Sequence, residues 1–249
     1  MRRAALLLTG LLLLAGATGC GSTDLKVSAA ASLKSALTAY GSQVEEAKVS
    51  FSFAGSDALA VQIERGAKPD VYAAANTKLP DQLFEKGLVE KPRIFAANRL
   101  VLAVPAKDPQ VASLSDLEQQ GIKLAVGEQS VPIGSYTRTV LGRLPTAQAD
   151  AILANVRTEE PDVSGITGKL TQGAVDAGFL YVSDVRATNG RLTAIELPEE
   201  LLPQVAYAVA VVKGTEHPEQ ARAFVDGLLS GAGARALSDA GFEPRGAAP

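Results

Sequence analysis

The sequence is poor in the residues that build stapled or reactive sites. Its 249 residues include one cysteine, one histidine, one methionine and no tryptophan. A single cysteine excludes a disulfide framework within the chain. One cysteine and one histidine also exclude a zinc site built from several such ligands. Aromatic residues make up 5% of the chain, too few for stacking platforms that hold bases or sugars. Lys and Arg number 24 against 27 Asp and Glu, a net charge of −3. No basic cluster appears, so the electrostatic footprint of a duplex nucleic-acid binder is missing and no nucleic-acid partner is expected. What is present is globular: 47% hydrophobic and 20% charged residues. That composition excludes a largely disordered chain and lets one or two domains bury a core.

Arg2 and Arg3 precede an apolar run from Ala4 to Ala15, broken only by Thr9 and Gly10, and then Gly16-Ala17-Thr18-Gly19-Cys20. The order positive, apolar, small is that of a secretory signal. The run is shorter than the ~20 apolar residues of a spanning helix. Small residues before a lone cysteine resemble the bacterial lipobox, in which the thiol is acylated and the chain is cut before it. Ala17 stands where Leu is usual. The expectation is a lipoprotein signal peptide over residues 1–20 with lipid attachment at Cys20. Gly21, Ser22 and Thr23 then tether an extracytoplasmic protein to the cell membrane.

Beyond the tether, hydrophobic periodicity alternates between strand and helix. Leu25 to Ala30 predicts a buried strand, and Leu33, Leu37, Tyr40 and Val44 predict a helix starting at Ser32. Val49 to Phe53 alternates as a strand, Ser56 opens a helix that stops near Gly66, and Pro69 to Ala74 reads as another strand. Two apolar strands, Arg99 to Pro105 and Val205 to Val212, bracket a second set. That set holds strand Lys123 to Val126, helices from Gly134 and Ser164, and strand Gly178 to Val182. Helices at Pro218–Leu229 and Ala232–Ala240 close the chain. The alternation implies an α/β class, and the inserted set implies two lobes joined by two crossings. Residues 21–103 with 205–249 would form the first lobe, and 104–204 the second.

The candidate chemistry lies at four loop-to-helix junctions. They are Ala29-Ala30-Ala31-Ser32-Leu33, Ala54-Gly55-Ser56-Asp57, Val131-Pro132-Ile133-Gly134-Ser135 and Asp162-Val163-Ser164-Gly165. A helix start leaves about four N–H groups without helical partners and carries partial positive charge, which suits an anion. Small residues let an oxyanion approach the backbone, and Ser32 and Ser56 add O–H donors. Taken singly, each junction is equally served by a serine that caps its own helix. Two junctions per lobe, taken together, point to a shared anion.

These segments resemble the bacterial molybdate-binding proteins, the extracytoplasmic solute-binding components of molybdate ABC transporters. The likeness runs through Val27-Ser28-Ala29-Ala30-Ala31-Ser32-Leu33, Phe53 to Ala60 and Gly66-Ala67-Lys68-Pro69-Asp70-Val71. It continues in Leu124 to Gly127, Val131-Pro132-Ile133-Gly134-Ser135-Tyr136, Asp162-Val163 and Tyr181-Val182-Ser183-Asp184-Val185. The resemblance implies a type II periplasmic-binding-protein fold, with two mixed sheets flanked by helices and joined by a two-strand hinge. It implies a monomer that closes on molybdate or tungstate and delivers it to an ABC permease with its ATPase. No cofactor is implied, and molybdenum enters only as the bound anion. Carried over by position, Ser32 and Ser56 would donate from the first lobe through hydroxyl and backbone. Ile133 and Val163 would donate main-chain N–H from the second, and the Tyr181 hydroxyl would complete the shell. Ile133 stands where Ala is common, and Gly55 and Asp57 stand where relatives often carry serines. Asp57 is expected to point to solvent at its helix start.

A neutral shell of donors suits a dianion with no proton to give, whereas hydrogen phosphate calls for an acceptor. Sulfate has the same charge and shape, so its rejection must come from cavity size. Receptors for sulfate or thiosulfate therefore remain open, as does a lobe pair that only signals. A secreted hydrolase using Ser32 or Ser56 as nucleophile lacks a histidine base: His217 precedes Pro218 at a helix start, and no G-x-S-x-G elbow exists. The Gly165-Ile166-Thr167-Gly168-Lys169 run fails as a phosphate loop, because Val163 replaces the first Gly and Leu170 the Ser/Thr. Tyr72 and Tyr136 read as core or cleft-edge residues. Asp70 reads as a strand-end carboxylate that holds loop backbone.

Overall fold

A computed structural model describes residues 23–244. The signal segment, Cys20 and the first two tether residues lie outside the described residues. The first α/β set opens with β1 (Thr23–Ala30), α1 (Lys34–Gly41), β2 (Ala47–Ala54), α2 (Ser56–Glu64), β3 (Val71–Ala74), α3 (Lys78–Glu85) and β4 (Arg93–Asn98). The second contains β5 (Leu100–Pro105), β6 (Leu124–Gly127), α4 (Pro132–Gly142), α5 (Thr146–Ala154), β7 (Val156–Glu160), α6 (Val163–Thr171), β8 (Ala177–Tyr181), α7 (Val182–Arg186) and β9 (Leu192–Glu196). The chain then returns through β10 (Val205–Val211), α8 (Pro218–Leu229), α9 (Ala232–Asp239) and β11 (Glu243–Pro244).

The strands form two mixed sheets. One has the order β11-β4-β10-β3-β1-β2, the other β7-β6-β8-β5-β9. β1 runs parallel to β2 and β3, while β10 lies antiparallel between β3 and β4. In the second sheet β6 is parallel to β7 and β8, and β5 is antiparallel to β8 and β9. All of β5 belongs to the second sheet, so the chain changes sheet at Arg99, upstream of the expected 103/104 position. An apolar run such as Leu100 to Val104 reads the same in either sheet, because both of its faces are covered. The return passes between β9 and β10.

Parallel pairing explains where the functional junctions lie. In a parallel sheet with helices on its faces, ligands collect outside the carboxyl ends of the strands. β1 and β2 are paired to their ends, Ala29 opposite Phe53 and Ala30 opposite Ala54. The loops after both strands therefore open at the same edge. The second sheet repeats this with β6, β7 and β8. Both sheets are held by buried aliphatic side chains such as Leu25, Leu33, Leu102 and Leu180, each worth about 1.5–3 kcal/mol when fully buried.

α4 begins at Pro132, two residues before the expected Gly134, and three further expected boundaries move for a local reason. Ser32 lies in a 3-10 turn, Ala31–Leu33, and the helix proper begins at Lys34. α6 begins at Val163 because Asp162 caps it, accepting from the N–H groups of Ser164 at 2.7 Å and Gly165 at 3.3 Å. Val182, expected at a strand end, opens α7, where the Asp184 carboxylate accepts the Tyr181 N–H at 3.0 Å. The crossing is tied to the second sheet. Asn98 Nδ2 donates to Ser183 Oγ at 2.8 Å, and the Val182 N–H donates to the Arg99 carbonyl at 3.0 Å.

Candidate functional site

The five residues singled out in the sequence line one cavity. Ser32, Ser56, Ile133, Val163 and Tyr181 meet there with Ala30, Ala31, Ala54, Gly55, Ala75, Val131, Pro132, Pro161 and Asp162. The centre of a water-sized sphere has about 20 Å³ to move in it. One water needs about 10–15 Å³ on that measure, so the space takes one small group and excludes a sugar, a nucleotide or a peptide.

Each donor is prepared by its neighbours. Ser56 is the first residue of α2 and 1% exposed. Its Oγ accepts the Ala75 N–H at 3.1 Å, and its carbonyl accepts the Tyr72 hydroxyl at 2.7 Å. An Oγ that already accepts keeps its proton to give. Ser32 Oγ shares a buried hydrogen bond of 2.9 Å with the Tyr207 hydroxyl. Neither serine caps its helix: Gly55 is the N-cap of α2, and neither the 3-10 turn nor α1 has a side-chain cap bond. The capping alternative left open for these two serines is thereby removed.

The second sheet presents main chain. α4 starts with Pro132, so its first position has no N–H, and Ile133 follows. The Ser135 N–H already bonds the Val131 carbonyl at 2.9 Å. Gly134 is obligatory here, because a Cβ on it would stand 1.9 Å from the Glu128 carbonyl oxygen. In α6, Asp162 occupies the N–H groups of Ser164 and Gly165, which leaves that of Val163 at the cavity. Tyr181 ends β8, is 1% exposed, and its hydroxyl has no hydrogen-bond partner among the described residues. Burial holds this phenol well above its usual 10, so it stays a neutral donor. The ring is fixed edge-on to Tyr136 and Tyr207, with centroids 6.4 and 5.9 Å away.

Among the described residues, no Lys, Arg or His lines the cavity. The Asp162 carboxylate there is engaged with its own helix. Asp57 is the one site neighbour that departs from expectation. It does not point to solvent: Oδ2 accepts the Ser130 hydroxyl at 3.2 Å, and Oδ1 is buried without a partner. Ser130 belongs to the loop before α4, so this bond joins that loop to the first turn of α2 on the other sheet. Gly55 lies at the same seam, where a Cβ would be 2.6 Å from the Pro161 carbonyl oxygen.

A family model described as bacterial extracellular solute-binding protein matches residues 25–243. The chain belongs to that family. This solute-binding protein is 36% identical over 255 residues to the molybdate-binding protein ModA of Mycobacterium tuberculosis, with 94% of this chain and 95% of the relative covered. The resemblance seen in the sequence is thus borne out. Among solved structures, the periplasmic molybdate-binding protein of Azotobacter vinelandii matches with a TM-score of 0.77 at 21% identity, covering 88% of this chain and 98% of the other. The sulfate-binding protein SubI of Mycobacterium tuberculosis matches at 0.79 and 19% identity, covering 90% and 88%. At such identities these two speak to architecture, and the expected two-lobed fold of two mixed sheets is borne out.

The sequence missed several residues that prepare the site of this solute-binding protein. Tyr207 sits in the apolar alternation Val205 to Val211 and carries no local sign of its bond to Ser32. Tyr72, read as core or cleft edge, is buried core that pins the start of α2. Asp70 holds backbone as expected, accepting the Lys26 N–H at 2.6 Å and the Thr215 hydroxyl. His217 is the N-cap of α8 and is not among the cavity residues.

Proposed function

We propose that this solute-binding protein captures molybdate, and with it tungstate, outside the cytoplasm and passes it to an ABC permease driven by its ATPase. The observation that carries the reading is the Tyr181 hydroxyl, buried, protonated and without a partner at a cavity lined by the two serine hydroxyls. A buried unpaired hydroxyl costs about 1–3 kcal/mol, which a ligand that accepts from it recovers. The cavity has room for one small group, with the hydroxyls of Ser32, Ser56 and Tyr181 lining it. That suits one tetrahedral oxyanion. The donors are neutral, which suits a dianion without a proton and leaves no fixed cation to slow its release. The mycobacterial relative's name supports molybdate as the choice among such anions.

The protein acts without catalysis in this reading. Ser32 and Ser56 are paired with Tyr207 and the Ala75 N–H, and neither has a base beside it that would make it a nucleophile. It works as a monomer, held at the membrane by a lipid on Cys20 after the chain is cut before that cysteine, and it needs no cofactor.

Thermal unfolding with molybdate, tungstate, sulfate and hydrogen phosphate tests the reading. Molybdate at ~100 times its dissociation constant adds about 2.7 kcal/mol. Sulfate at the same concentration should add far less. Equal shifts with molybdate and sulfate make the protein a general oxyanion receptor, and no shift with either ends the proposal. Loss of membrane association in Cys20→Ala tests the anchor.

A further inference from the structure

We infer that the groove between α1 and the α6–α7 pair is the anion's route to and from the cavity, and that Lys34 and Arg191 are the charges that draw it in. The inference rests on the oxyanion reading above.

The cavity is walled on its other sides. Beside α2 and α4, Asp57 Oδ2 takes the Ser130 hydroxyl at 3.2 Å. Where β2 and β7 end, Gly55 stands so close to the Pro161 carbonyl oxygen that a Cβ would lie 2.6 Å from it. Toward the crossing, the rings of Tyr181 and Tyr207 pack with centroids 5.9 Å apart, and Tyr207 is bonded to Ser32. The remaining side is the start of α6 against the 3-10 turn before α1. Ala31, Ser32 and Val163 line the cavity on one side and the groove on the other. The centre of a water-sized sphere has about 750 Å³ to move in the groove, against about 20 Å³ in the cavity. Parting this one contact joins the two spaces.

The groove walls suit a passing oxyanion. Ser35 and Thr38 on α1 and Ser164 and Thr167 on α6 offer hydroxyl donors along it. Lys34 at the start of α1 and Arg191 after α7 add positive charge, one from each lobe, and neither is in an ion pair among the described residues. Arg191 Nε is held there by the Thr188 carbonyl at 3.3 Å. Asp184 is the acid among the groove residues, and burial pushes its carboxyl up to about 7. Asp162, at the partition, gives its carboxylate to the N–H groups of Ser164 and Gly165. The opposite rim has the other sign, with Asp57 on α2 and Glu128 in the loop before α4. The whole chain carries −3, which repels a dianion at a distance. A cleft flank lined by cations then decides on which side the dianion arrives.

The test is stopped-flow tyrosine fluorescence with molybdate at pH 6, run at low and high salt, beside calorimetry. The association rate and the dissociation constant together give the dissociation rate. Lys34→Gln/Arg191→Gln should associate about tenfold more slowly than the parent at low salt. The difference should close at high salt. Lys48→Gln/Arg157→Gln removes the same charge at the amino ends of β2 and β7, away from the cavity edge, and should associate nearly as fast as the parent. Thr167→Trp fills the groove and leaves the cavity residues intact. It should slow association and dissociation by a similar factor and keep affinity within a few-fold, the signature of an obstructed path. An unchanged association rate in Lys34→Gln/Arg191→Gln overturns the inference, and so does equal slowing in the Lys48/Arg157 pair, which would mean that only net charge matters. Thr167→Trp with both rates of the parent removes the groove as the path. If the unaltered chain shows no molybdate binding by calorimetry, it is the oxyanion reading that fails.

Discussion

The Ser130 hydroxyl reaches Asp57 Oδ2 at 3.2 Å, joining the loop before α4 to the first turn of α2. The bond spans the two sheets beside the cavity and exists only where their loops meet. Asp57 brings a negative charge close to the proposed anion, and its Oδ1 is buried unpaired. Asp57→Asn keeps an oxygen for Ser130 and removes the charge. It should tighten molybdate several-fold, an effect that fades with added salt. Ser130→Ala removes only the bond and should weaken binding by less than tenfold, about 1 kcal/mol. Titration at two ionic strengths checks both signs. Weaker binding in Asp57→Asn would show that the Asp57 charge does not oppose the bound anion.

The Tyr181 hydroxyl predicts opposite effects on stability and binding. Without ligand it is a buried donor with no acceptor, so Tyr181→Phe should unfold at a higher temperature, by about 1–3 kcal/mol. The same change should weaken molybdate ten- to a hundredfold, because a hydrogen bond to an ion is worth about 1.5–3 kcal/mol. Ser32→Ala and Ser56→Ala should weaken binding comparably, without the gain in stability. Unfolding curves of the ligand-free variants beside calorimetry separate the two effects. Unchanged affinity in Tyr181→Phe would remove that hydroxyl from the site.

Main-chain donors respond to different substitutions. Ile133→Ala and Val163→Ala keep their N–H groups, so binding should stay within a few-fold, and the retreat of the Ile133 wall should relax discrimination by size. Gly55→Ala is the informative contrast. Its Cβ would lie 2.6 Å from the Pro161 carbonyl oxygen, which belongs to the other sheet's loops. The α2 backbone at Gly55 has ordinary angles, φ −57° and ψ 137°, which alanine adopts freely. The variant should therefore fold and melt like the parent while losing molybdate binding, and scattering should find it unable to contract with ligand. Normal affinity in Gly55→Ala would mean that the seam between the loops is not part of the bound state.

What could be read in the sequence was whatever is local. β1 and α2 follow from short buried runs ending in small residues, and the approach of the chain to an anion at Ser56 needs only those residues. The Val131-Pro132-Ile133-Gly134 start of α4 is likewise legible, since Pro and Gly each have a backbone reason to stand there. What could not be read depends on distant chain. Tyr207 lies 175 positions from Ser32, in a strand whose alternation is that of any core strand. The direction of Asp57 is set by Ser130, 73 positions away. The sheet change falls at Arg99, where Asn98 and Arg99 separate the apolar runs Phe95–Ala97 and Leu100–Val104, and nothing local says that these two runs enter different sheets. Periodicity reports which residues are buried, and it is silent on which buried hydroxyl faces which.

Asp184 supplies the pH dependence. It is buried behind Tyr181, and its carboxyl is pushed up from 3.8 to about 7, chiefly by burial and further by Asp162, against the Tyr181 N–H that lowers it. The folded protein thus holds this proton to higher pH than the unfolded chain. Its contribution to stability is complete below about pH 4, declines as pH rises toward 7, and is gone above that. At about 1.4 kcal/mol per pH unit, the loss amounts to a few kcal/mol. Asp184→Asn keeps an oxygen for the Tyr181 N–H and abolishes the titration. It should match the parent near pH 4 and be more stable near pH 8. Binding follows the same group: above pH 7 the parent gains a buried negative charge behind Tyr181, and molybdate affinity should fall several-fold between about pH 6 and about pH 8.5. The variant should show no such fall. Parallel pH profiles of unfolding and affinity, parent against variant, decide it. Superimposable profiles would mean that Asp184 is already ionised at pH 6 in the folded protein.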